Sequence, residues 1–161
     1  MGCSEPEPRR WPAGHRLLRS TVREAVETTV GIAGRPDLAV GLIRTRDAVD
    51  RPVEEGVGLV KNVVEVIATI ENVGDALAGE TTTRFWVRSI EVDRELRVVH
   101  TPEIPPGDAI EVTALWDLRD GPGPYTITVT ADAFSQINEV RKDNNIAVVH
   151  VRVRGTRAEL E

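Results

Sequence analysis

From Asp37 onward the chain predicts an all-β fold, an antiparallel sandwich or barrel of short strands. Three observations carry the expectation. Apolar and polar residues alternate with a period of two, the mark of strands with one face in a core. Clusters of Gly, Pro, Asn and Asp interrupt the alternation roughly every ten residues, the spacing of an all-β domain. No helical periodicity intervenes between the alternating runs, which argues against a parallel α/β sheet.

Composition narrows the classes further. The chain has 161 residues, a length that suits one domain with a short appendage. A core domain of about 100–120 residues buries enough apolar surface to fold without disulfides. A lone cysteine, Cys3, offers no internal bridge. The formal net charge is -6, with acidic and basic residues interspersed. This argues against nucleic acid as a partner, because phosphate binding needs a concentrated basic face. No apolar run approaches the ~18–20 residues of a membrane helix.

Residues 1–13 hold prolines and charges with little to bury, and read as a disordered tether. Between Gly14 and Val30, Leu18, Val22, Ala25, Val26 and Val30 recur at helical spacing, and Thr21 with Glu24 fits a capping box. The β-branched Thr28, Thr29 and Val30 weaken its last turn. Gly31, Gly34 and Pro36 then break the chain. The expected organisation is residues 1–36 as a tether with a short helix, 37–154 as the β-domain and 155–161 as a C-terminal tail.

Within the β-domain, Leu38, Val40 and Leu42 form one face of a first strand, and residues 47–58 read as a loop. Val64, Val66, Ala68 and Ile70 alternate with Glu65, Ile67, Thr69 and Glu71. That strand ends at the turn Asn72-Val73-Gly74-Asp75. Between Thr82 and Arg88, Phe85 and Val87 share one side and Trp86 takes the other. The charged stretch Ile90–His100 is a strand pair or one long strand, expected at an edge where charge discourages further pairing. After the turn Pro105-Pro106-Gly107-Asp108, Ile110, Val112, Ala114 and Trp116 share a face. Asp120-Gly121-Pro122-Gly123-Pro124 punctuates again. Tyr125, Ile127, Val129 and Ala131 then alternate with Thr126, Thr128, Thr130 and Asp132. The last strand runs from about Ile146 to Val153, with Val149, Val151 and Val153 inward. The total is about seven strands.

These same residues resemble a known family. Ile70-Glu71-Asn72-Val73-Gly74-Asp75-Ala76-Leu77-Ala78-Gly79 looks like the N-x-G-x-A-x-x-G turn of CARDB, the cell adhesion related domain found in bacteria. Ile104-Pro105-Pro106-Gly107 is similar to its L-x-P-G segment. Gly123-Pro124-Tyr125, Ala131-Asp132, and Asn138-Glu139 leading to Asp143-Asn144-Asn145 resemble its ending. The segments fall in the family's order between about Pro36 and Arg154. The charged Ile90–Pro102 stretch and the N-terminal appendage depart from the pattern. The resemblance implies an immunoglobulin/fibronectin type III-like antiparallel β-sandwich of about seven strands. It further implies an extracellular or cell-surface setting, and an adhesion, binding or spacer unit rather than a catalyst.

Three candidate sites follow from the residues. Asp132, Asn138, Glu139, Asp143 and Asn144 gather oxygen-bearing side chains, with Gln136 and Asn145, on the connection before the last strand. Calcium takes such ligands in flexible geometry. The competing reading is that they hold the turn, with Asp132 ending one strand and Asn144 and Asn145 fixing entry into the next. Trp86, if left outside the core, could stack on a sugar ring. Cys3 in Gly2-Cys3-Ser4, before Glu5-Pro6-Glu7-Pro8, resembles the lipid-bearing start of a mature bacterial lipoprotein; the alternative is an ordinary N-terminus. Trp116 and Tyr125 read as core residues, the tyrosine with its hydroxyl on a backbone group.

No catalytic residues emerge. His15, His100 and His150 are isolated, and no G-x-S-x-G or phosphate loop is present. The expected function is a non-catalytic extracellular or cell-surface binding or spacer module, adhesion-related, recognising a protein or glycan partner. It would use no cofactor unless calcium, and would meet a membrane only through a lipid anchor at Cys3. The alternatives are a calcium- or carbohydrate-binding accessory module and a structural subunit of a surface or phage assembly.

Overall fold

A computed structural model describes residues 34–47, 63–155 and 157–161. The expected N-terminal helix, Cys3 and nearly all of the expected 47–58 loop lie outside them. Among the described residues eight strands follow in chain order. They are β1 (Leu38–Asp47), β2 (Val63–Asn72), β3 (Thr81–Arg88), β4 (Asp93–Thr101), β5 (Ala109–Asp117), β6 (Gly123–Thr130), β7 (Ile146–Arg154) and β8 (Arg157–Leu160). A single 3-10 turn, Leu118–Asp120, follows β5 and is capped by the Asp117 carboxylate, which accepts from Arg119 N at 3.0 Å. Two antiparallel sheets result, a three-stranded one ordered β1-β2-β5 and a five-stranded one ordered β4-β3-β6-β7-β8. The described residues form an all-β, immunoglobulin-like sandwich, as the alternation and turn spacing predict.

The alternation becomes the core directly. Val64, Val66, Ala68 and Ile70 from β2 and Val112, Ala114 and Trp116 from β5 face Phe85 and Val87 from β3, Ile127 and Val129 from β6, and Val151 and Val153 from β7. Each of the valine, isoleucine and phenylalanine side chains among them contributes roughly 1.5–3 kcal/mol by leaving water. The Trp116 and Tyr125 rings meet edge to face, centroids 5.1 Å apart, a geometry that suits their quadrupoles. The Tyr125 hydroxyl donates to Gly121 O at 2.8 Å, so its burial strands no polar group.

Two strands differ from the sequence expectation. In β1 the pairing register shifts between Val40 and Ile43. The bulge turns Leu42 out to 64% exposure and puts Ile43 in the core at 4%, because one extra residue inverts the facing of all that follow. Within the segment 155–161, expected to be a tail, Gly155 instead takes a positive φ of 61° and Arg157–Leu160 run back along β7 as β8. Ala158 joins the core, and Thr45 Oγ1 donates to Ala158 O at 2.8 Å. β8 thereby ties the five-stranded sheet to β1. The charged Ile90–His100 stretch is one strand, β4, at the edge of its sheet, with Ile90 fully exposed in the connection before it.

One pole is locked by the Asn72 turn. Asn72 is buried, and its Oδ1 accepts from Asp37 N (3.2 Å) and Gly74 N (3.1 Å). Its Nδ2 donates to Ala76 O (2.7 Å) and Ile104 O (2.8 Å). Gly74 is required by close approach: a Cβ there would stand 2.4 Å from Arg35 O. Beside it, Pro105-Pro106-Gly107-Asp108 closes with Asp108 N donating to Pro105 O at 3.1 Å and Gly107 at φ 78°. This is a type II turn, in which proline precedes the glycine that supplies the positive φ.

Candidate functional site

The connection between β6 and β7 is built around a lysine. Asp132 adopts φ 42°, a left-handed conformation that Asp tolerates, and so turns the chain off β6. Its carboxylate then accepts from Gln136 N at 2.6 Å and Ile137 N at 3.4 Å. Glu139 returns into the fold: Oε1 accepts from Leu38 N at 3.0 Å and Oε2 from Asn145 Nδ2 at 2.7 Å. Both carboxylates are fully buried, and the Lys142 Nζ stands 3.3 Å from Asp132 Oδ2 and 3.3 Å from Glu139 Oε2. Burial works against the charge on Lys142, but its hydrogen bonds to Glu139 and Asp132 prevail and hold its pKa above the ordinary lysine value.

Of the five side chains expected as calcium ligands, the structure brings only Asp132 and Glu139 together. Asn144 turns to Asp37, donating to its Oδ1 at 2.7 Å. Asp143 is exposed and pairs with Arg141 at 3.3 Å, and Asn138 is exposed. An ammonium takes the place between the two carboxylates that the calcium reading gives to the metal. Among the described residues no group of three or more His, Cys, Asp or Glu could hold a metal ion. The five side chains do not converge on one point, and those that are buried hold the turn. Val140 N donates to Pro36 O (3.0 Å) and Val40 N to Asn144 O (3.1 Å), which staples the connection to the start of β1.

Trp86 lies on the other side of β3 from Phe85 and Val87, half-buried on the outer face of the five-stranded sheet. Cross-strand register places three rows there. Arg84 opposes Thr130 and then Ile146; Trp86 opposes Thr128 and then Val148; Arg88 opposes Thr126 and then His150. Rows two residues apart along a strand are about 6.8 Å apart. Arg84, Trp86, Arg88 and the three threonines line an open groove of about 520 Å³. The indole N–H donates to Asp93 Oδ1, and Arg88 pairs with the same carboxylate at 3.1 Å. These two contacts, Trp86 first, hold the Asp93 pKa below its ordinary 3.8. The Arg84 guanidinium lies 5.0 Å from the centroid of the half-exposed Phe134 ring, within cation–π range.

Sequence reasoning singled out Trp86 but not its neighbours. The outward phase of Thr126, Thr128 and Thr130 was legible in the alternation. That they stand opposite Arg88, Trp86 and Arg84 is a property of strand order. Lys142 carried no signal, because a lysine in an acidic loop ordinarily reads as a solvated charge.

Comparison with known proteins agrees with this architecture. The family profile of CARDB matches residues 35–149. The CARDB domain of a Pyrococcus furiosus protein, crystallised in complex with di-metal ions, superposes with a TM-score of 0.56 at 22% identity, covering 74% of this chain and 90% of that one. A domain from Methanosarcina acetivorans, provisionally described as belonging to a cell surface protein, gives 0.57 at 21% identity, covering 75% and 94%. Likeness at this identity shows the fold. A search of the curated proteins finds no match. Among the described residues no helix is long and apolar enough to cross a membrane. With its profile matched from the Asn72 turn through the Lys142 connection and into β7, the chain belongs to the CARDB family of non-catalytic modules.

Proposed function

We propose that this CARDB module is an extracellular or cell-surface recognition unit, whose protein or glycan partner seats on the outer face of the five-stranded sheet. The observation that carries the reading is Trp86. A large aromatic side chain left half-exposed in the middle of a sheet, its N–H held by Asp93, is a preorganised contact surface. Aromatic anchors of this kind dominate recognition surfaces. The two buried carboxylates of the β6–β7 connection, Asp132 and Glu139, support the fold rather than chemistry, since each is engaged by Lys142 and by backbone N–H groups.

Calcium dependence is a second reading, favoured by the metal-bound Pyrococcus domain. Lys142 weighs against it here, because the positive charge is already supplied from within the chain.

The test is capture of cell-envelope preparations from the source organism on beads carrying the chain. Beads with the wild type should retain envelope material. Trp86→Ala should lose most of that retention with an unchanged cooperative melt, whereas Leu42→Ala on the other sheet should keep it. Undiminished capture by Trp86→Ala would remove the face from consideration.

A further inference from the structure

We infer that the groove on the five-stranded sheet takes a neutral, hydroxyl-rich glycan chain. The inference rests on the reading of that face as the recognition surface, and it adds the chemical class of the ligand. Charge is the first argument. The two arginines that line the groove each have an anion beside them: Arg84 with Glu95 (3.5 Å) and Arg88 with Asp93 (3.1 Å). Both positive charges at the groove are thus offset by neighbouring carboxylates. A phosphate- or uronate-bearing polymer seated in the groove would compete with carboxylates already in place on Arg84 and Arg88.

The hydroxyl column is the second argument. Thr126, Thr128 and Thr130 run along β6 between the arginine–tryptophan column and the Ile146–Val148 column. Each threonine hydroxyl can both donate and accept, which suits a ligand whose own hydroxyls do both. Among the described residues no side chain engages Thr128 or Thr130, while Thr126 Oγ1 lies 3.4 Å from His150 Nδ1. Trp86 supplies the apolar surface: its N–H is committed to Asp93, so what it offers a ligand is the ring.

Shape is the third argument. Three rows extend about 14 Å along the strands, and the groove they line is open to solvent, which fits a segment of an extended chain better than an enclosed small molecule. A second copy of the chain or another folded protein is disfavoured by the small apolar content. Ile146 and Val148, each 52% exposed, stand beside polar columns, whereas a stable protein interface buries roughly 800 Å² per partner around an apolar centre.

Affinity electrophoresis in native gels tests the inference. The gels would contain soluble starch, laminarin or galactomannan, with polygalacturonate as the acidic comparator. At least one of the three neutral polysaccharides should retard the wild-type chain, and polygalacturonate at physiological salt should not. Trp86→Ala should weaken the retardation about ten-fold, Thr128→Val should weaken it several-fold, and Leu42→Ala should leave it intact. Retardation by none of the neutral polysaccharides, stronger retardation by polygalacturonate, or retardation indifferent to Trp86→Ala would overturn the glycan assignment. If envelope capture still depends on Trp86 in that event, the recognition face stands and its occupant is a protein. If capture is also indifferent to Trp86, both fall together.

Discussion

Lys142 Nζ lies 3.3 Å from Asp132 Oδ2, across ten residues of chain, and its other carboxylate contact is Glu139 at the same distance. A cation from the chain itself closes the β6–β7 connection, where two buried carboxylates would otherwise face each other. Lys142→Met should therefore lower stability by about 2–3 kcal/mol, because removing one partner leaves buried charge uncompensated. The lysine pKa is raised in the folded state, so its contribution is complete below the ordinary lysine value and is lost as pH rises through the folded one. Thermal melts between pH 7 and 11 should show the wild type and variant converging at the alkaline end. Millimolar calcium should leave the wild-type melting temperature unchanged and raise that of Lys142→Met, where the two carboxylates are left without a cation. A calcium-induced rise in the wild type would contradict the internal-cation account.

Asn72 uses its full side-chain hydrogen-bonding capacity on backbone groups from three segments. Asn72→Ala leaves those buried groups unpaired and should cost about 3 kcal/mol or more. Gly74→Ala should be comparably damaging, since the new methyl would meet the backbone of Arg35, Pro36 and Asp37. Denaturant melts of both variants check this. A loss under 1 kcal/mol for either would mean that the turn can relax around the change.

These two clusters show how legibility divided. The Asn72–Gly74 turn was readable because its residues are close in sequence and its chemistry is local. The core strands were readable because alternation survives intact in β2, β3, β5, β6 and β7. In β1 the Gly41–Leu42 bulge is set by pairing with β2, and a single sequence contains no register. β8 was missed because four residues, with only Ala158 buried, present no run long enough to alternate. At the candidate site, Trp86 could be placed outward by the competing demands of Phe85 and Val87. Its partners Thr128 and Asp93 come from strand order and from the β3–β4 hairpin. Lys142 depends on the path of a loop, and nothing local encodes that path.

Tyr125 gives a smaller, sharper test of the core. Its hydroxyl donates to Gly121 O while its ring packs on Trp116. Tyr125→Phe keeps the ring and removes one hydrogen bond, so equilibrium unfolding should show a loss of about 1 kcal/mol. Tyr125→Ala should lose about 3–5 kcal/mol, since the ring contact and the buried volume go together.

The link between Trp86 and Asp93 should be visible optically. Hydrogen bonds from Trp86 and then Arg88 depress the Asp93 pKa. The contact is therefore intact above the ordinary carboxylate value and is lost as pH falls through the lower, folded-state value. In a Trp11→Phe background, with Trp116 buried as a constant contributor, tryptophan emission should change with a midpoint below 3.8. Asp93→Asn should remove that transition. A midpoint at or above 3.8 would show that the indole is not tied to this carboxylate.

Amide chemical-shift mapping tests the recognition face most directly, with solubilised envelope material titrated into the labelled chain. The account predicts perturbations concentrated on Arg84–Arg88, Thr126–Thr130 and Ile146–His150, the three strands whose outward side chains surround Trp86. Perturbations confined to the three-stranded sheet or to the Asp132–Asn145 connection, with those three segments silent, would contradict it.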